Sequence, residues 1–141
     1  MDIIALYGHA QCGKSSTLNI LREILHREGK SISLNGPHHH DRPETFEYNG
    51  KIICVAPGGD TKEVVQNNLD YFVSKKCDFG FTASRTKGDP VDVLLEFKKH
   101  NNIIITWIQK SYEYNLSEKT KDLCNKETAE FLFNLLSIKD D

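Results

Sequence analysis

Long apolar runs are missing from this chain. No stretch of about 18 apolar residues occurs in its 141 positions, so no membrane-spanning helix is expected. Excess positive charge is missing too. Lys and Arg number 18 against 20 Asp and Glu, a formal net charge of −2, which points away from nucleic acid as the main partner. The four cysteines, Cys12, Cys54, Cys77 and Cys124, are scattered with no CxxC spacing. That argues against a zinc site and fits a reducing, cytoplasmic setting. The opening MDIIALYG has no basic segment and only a short apolar run, so it does not read as a secretory leader. Only the histidine triplet at 38–40 is of low complexity, and no repeat or linker divides the sequence.

What remains is enough for one packed domain over 1–141. Hydrophobic residues make up 38% and charged residues 27%. Ile3 to Tyr7 is an apolar run before a glycine and predicts a buried strand. From Lys14 to Glu28, Leu18, Leu21 and Leu25 fall at helical spacing, widened by Ile20 and Ile24, with Gly29 as a C-cap. Ser31 to Leu34 is a short strand candidate, and Asn35 to Glu44 reads as a loop. Thr45–Tyr48 and Lys51–Ala56, joined by Asn49-Gly50, predict a hairpin. A helix over 61–76, a strand over 77–83, a helix over 90–100, a strand over 103–108 and a helix over 117–137 follow. Strands alternating with helices imply right-handed crossovers. The expected fold is α/β: a three-layer α/β/α sandwich on a mostly parallel five-stranded sheet, with an antiparallel edge strand from the hairpin. Ligands of such sheets sit beyond the C-terminal strand ends.

Residues 8–15 lie at that place and read GHAQCGKS. The pattern GxxxxGK[ST] between a strand and a helix has a chemical logic. Gly8 and Gly13 let the backbone curve so that its N–H groups, including those of His9, Ala10, Gln11 and Cys12, wrap phosphate oxygens. The following helix aims its N-terminal dipole at the anion. Lys14 reaches the β- and γ-phosphates, Ser15 ligates Mg²⁺, and Ser16 is a second hydroxyl beside it. Cys12, beside the helix start, is a candidate reactive thiol. The octet resembles the Walker A motif of the P-loop NTPase superfamily. The resemblance is specific over residues 8–15 and extends to the order of elements along the chain. It implies a nucleoside triphosphate with Mg²⁺ as cofactors, and a sheet ordered 2-3-1-4-5.

A working NTPase also places an acid near the metal, at the end of a strand beside the first. The candidate strand ends Ala56-Pro57, and the next acid is Asp60 in PGGD. Asp60 is therefore the candidate metal and catalytic carboxylate, with Gly59 offering its N–H to a γ-phosphate. Asp60 and Glu63 also fit a capping box for the next helix. Arg85 and Lys87 are candidate phosphate contacts, Arg85 in the role of a cis arginine. Thr86–Asp89 spells the guanine-reading [NT]KxD, but Asp89-Pro90 also reads as a cap for the following helix. Thr45, by position, would complete a Mg²⁺ shell. His38–His40 with Asp41 is weighed as a metal cluster and read as a solvated loop. Tyr112 or Tyr114 is placed to stack on a base.

The expected function is Mg-dependent binding and hydrolysis of ATP, favoured over GTP for want of a convincing guanine motif. A small-molecule kinase and a non-catalytic nucleotide-regulated module are the alternatives. A protein partner or a homodimer is compatible with either.

Overall fold

The computed structural model describes residues 1–33, 42–112 and 116–139. The cluster at 38–41 and Tyr114 fall outside them. Ten elements follow one another: β1 (Asp2–Tyr7), α1 (Lys14–Glu28), β2 (Lys30–Ser31), β3 (Glu44–Tyr48), β4 (Lys51–Ala56), α2 (Lys62–Lys75), β5 (Phe79–Ser84), α3 (Asp89–His100), β6 (Ile104–Gln109) and α4 (Glu118–Lys139). The chain is α/β with a six-stranded, mostly parallel sheet in the order β2-β3-β4-β5-β1-β6.

Local chemistry accounts for most boundaries. Asn49 and Gly50 both have positive φ, 49° and 74°, as a two-residue hairpin turn between β3 and β4 requires. Thr61 caps α2 by accepting a hydrogen bond from Val64 N at 3.2 Å. Alternation along the strands sorts the core. Ile4 and Leu6 of β1 pack with Leu18, Leu21 and Leu25 of α1 and with Leu132 and Leu136 of α4. Their neighbours Ile3 and Ala5 pack with Val65, Leu69 and Phe72 of α2 and with Val93 and Leu94 of α3.

Three expectations are corrected. The sheet has six strands, because Lys30 and Ser31 pair with Glu47 and Phe46. Two paired residues leave no periodicity to read, and β2 rather than the hairpin forms that edge. The order 2-3-1-4-5 also fails: β5 pairs with both β1 and β4, and so separates them. Finally, the caps are shifted by one residue. Thr61 rather than Asp60 caps α2, and Gly88 occupies the N-cap position of α3 with no side-chain bond.

One buried ion pair fixes α1 to the hairpin. Arg22 donates from Nε and Nη2 to Glu44 Oε1 at 3.1 and 2.9 Å, and both residues are buried. Ser31 donates to Glu44 Oε2 at 2.7 Å, and His26 Nε2 lies 2.9 Å from the same oxygen. Burial pushes the Glu44 carboxyl up, but these hydrogen bonds and the charges of His26 and Arg22 outweigh it and hold it below its ordinary 4.5. The stabilisation is therefore complete above that ordinary value and is lost as pH falls through the lower folded one. Glu44→Gln should cost about 3–5 kcal/mol at neutral pH by withdrawing the charge that Arg22 faces. Urea unfolding should show the deficit of the variant shrinking as the pH is lowered below 4.5.

Candidate functional site

The loop between β1 and α1 sits at the C-terminal edge of the parallel strands. Gly13 ends it with φ of 89°, a left-handed conformation that admits glycine without strain, and Gln11 also has positive φ, 61°. His9, Ala10, Gln11, Ser15 and Ser16 are exposed, whereas Gly8, Cys12 and Lys14 are buried. Lys14 is the centre of the site. Its ammonium donates to the carbonyls of Gly8 at 2.7 Å and Ser84 at 2.9 Å, and to Asp60 Oδ1 at 3.2 Å. Its side chain is only 5% exposed, so the cation is held in place by oxygen atoms of three separate segments.

Asp60 gets there by an unexpected route. Its strand, β4, is not beside β1, so segment 57–60 must cross the end of β5. Gly59 makes the crossing: a Cβ there would stand 1.9 Å from the carbonyl oxygen of Ala83, closer than any side chain tolerates. Asn68 holds the crossing down by donating to Gly58 O at 2.9 Å and to Thr82 Oγ1 at 3.0 Å. The same crossing brings the carbonyl of Pro57 to 3.1 Å from Ser15 Oγ, which donates to it. Arg85, just past β5, places Nε 3.7 Å from Asp60 Oδ1. Thus Lys14, Ser15, Gly59, Asp60 and Arg85 meet at one edge. A cleft of about 700 Å³ opens beside them, lined by Asp60, Thr61, Glu63, Arg85, Lys87 and Asp89. Lys87 lines this cleft from an exposed turn.

Thr45 does not join them. It lies in β3 opposite Cys54, is 2% exposed, and its hydroxyl engages Tyr71 and Cys54. A position in the strand rather than in the preceding loop turns it into the core, so its assignment to a metal shell is withdrawn. No group of three or more His, Cys, Asp or Glu side chains able to hold a metal occurs among the described residues. No helix of the described residues is long and apolar enough to cross a membrane.

On the opposite flank Tyr112, the expected base-stacking residue, packs against the loop itself. Tyr112 places its hydroxyl against Gly13, where a Cβ would come within 2.1 Å of it, and donates to Asn125 Oδ1 at 2.9 Å. Thr17 donates to the same oxygen at 3.3 Å. Lys110 continues β6, its N–H donating to Tyr7 O at 2.8 Å. Asn68 carried a readable signal, a polar residue inside the stripe Val65–Leu69–Phe72. Asn125 and Lys110 carried none, since neither stands out from its neighbours in sequence.

No family model matches the chain, and neither a curated protein nor a solved structure matches it. The tight crossing gives a direct check on the site's geometry. Gly59→Ala should lower stability by about 1–3 kcal/mol in urea titration, because its methyl meets backbone. Gly58→Ala should cost less, since its new methyl would meet only Val64 Cγ1, at 2.8 Å.

Proposed function

We propose that this chain is a P-loop nucleotide-binding protein of three-layer α/β/α build that binds a nucleoside triphosphate with Mg²⁺ and hydrolyses it. One observation carries the reading: the buried Lys14 ammonium, in the mouth of a glycine-framed loop, satisfied by carbonyl and carboxylate oxygens. A phosphate tail supplies stronger acceptors at the same place. Lys14 then turns from Gly8 O and Ser84 O to the phosphate, and the loop N–H groups of residues 9–13 close round it.

The donor set suits Mg²⁺. That ion takes one or two protein oxygens and completes its shell with phosphate and water. Ser15, whose Oγ lies beside Pro57 O, offers a hydroxyl, and Asp60, beside Lys14 and Arg85, offers a carboxylate. When bound, Mg²⁺ supplies charge neutralisation across the phosphates. Asp60 orients the attacking water, and Arg85 meets the charge that develops as the terminal phosphoryl group leaves. Gly59 offers its N–H close by. Phosphoryl transfer to an acceptor is the second reading, favoured by the cleft of about 700 Å³ that abuts Asp60 and Arg85.

Two variants test the proposal. Lys14→Ala should abolish most of the thermal stabilisation by Mg-nucleotide, and an unchanged shift would overturn the assignment. Asp60→Asn should reduce phosphate release by about 100-fold or more while changing stability by under about 1 kcal/mol, because Asp60 is half exposed. Release of phosphate without any acceptor selects hydrolysis over transfer.

A further inference from the structure

Among the described residues, one buried side-chain nitrogen has no hydrogen-bond partner: Nζ of Lys110. The residue is only 3% exposed. Its ammonium lies 3.9 Å from the centroid of the Tyr112 ring, and Lys121 Nζ lies 5.4 Å from the same centroid. A ring face offsets part of the cost of burying a cation, but it accepts none of its three N–H bonds. Burial pushes the Lys110 amine below its ordinary value. A donor left idle inside a protein is costly, and natural folds keep one where a ligand completes it.

The position says which part of a ligand that is. Lys14 reaches towards β5 and Asp60, so the terminal phosphates lie on that flank of β1. The nucleoside end of the molecule must leave over the other flank. That flank is β6 and α4, where Tyr112 and Asn125 abut Gly13 and Lys110 follows β6. We infer that Lys110 is a specificity residue that reads the base of the triphosphate and selects guanine. Guanine presents two adjacent acceptors, O6 and N7, on one edge, which a lysine ammonium can bridge. Adenine presents N7 beside an N6 amino group, a donor that would face the ammonium. Tyr112, which covers the amine in the free chain, moves off it as the base arrives. The inference rests on the nucleotide reading above and reverses the adenine preference drawn from the sequence. That preference came from the weakness of Thr86–Asp89 as a guanine motif, and this part of the chain lies on the β5 flank.

The experiment is calorimetric titration of the full chain with the Mg²⁺ salts of GTP, ITP, ATP and tripolyphosphate. GTP and ITP, which share O6 and N7, should bind about tenfold or more tighter than ATP. Lys110→Met should fold with an undiminished melting temperature, since it removes a buried unpaired charge. It should equalise the three nucleotides and leave tripolyphosphate unchanged. Equal binding of GTP and ATP by the natural chain, ITP binding like ATP, or a guanine preference that survives Lys110→Met would each overturn the inference while leaving the phosphate loop standing. Failure of all four ligands to bind would instead overturn the phosphate-loop reading, and the base assignment with it.

Discussion

The site hangs on one ammonium group. Lys14 is buried, and its charge is satisfied by Gly8 of the loop, Ser84 of β5 and Asp60 of the β4–α2 connection. Those three segments are far apart in sequence and come from three different strands. A buried charge without partners would cost several kcal/mol. The lysine therefore demands that the Gly8 and Ser84 carbonyls hold their positions, with half-exposed Asp60 as a weaker third partner, and the parallel register of β1 with β5 brings Ser84 level with Tyr7 to meet that demand.

Inserting β5 between β1 and β4 has a geometric price. The acid-bearing segment has to travel one strand width further to reach the loop. Its path over Ala83 leaves no room for a side chain at 59, and Asn68 ties it to both Gly58 and Thr82. The sequence Pro57-Gly58-Gly59-Asp60 is thus explained by a crossing, not by capping. Thr61 takes the capping role and leaves the Asp60 carboxylate to the cations.

Legibility in the sequence was uneven for physical reasons. The loop octet, the bounds of α1 and the Asn49-Gly50 hairpin are encoded locally, in spacing and turn chemistry, and the structure has all three. Strand order is not a local property. The neighbours of β1 depend on which crossover helices pack on which face, and nothing in residues 51–84 announces that β5 intervenes. The identity of the α2 cap turned on one residue, Thr61 against Asp60, both competent acceptors; the ion pair with Lys14 decided it. Thr45 was misplaced because its place in a Mg²⁺ shell was inferred from order along the chain, whereas its position in β3 turns its hydroxyl towards Tyr71. Lys110 and Asn125 depend wholly on tertiary proximity to Gly13 and Tyr7.

The Arg22–Glu44 pair has a mechanical corollary. It anchors the middle of α1 to the hairpin, while Asn125 grips the first turn through Thr17. Displacing α1 would break a buried pair, a loss of about 3–5 kcal/mol. Displacing Asp60, which is 55% exposed, forfeits contacts of about 1 kcal/mol at most. The cradle therefore has one rigid wall and one compliant wall. Strain introduced by any occupant will relax through the compliant one, and so into the first turn of α2.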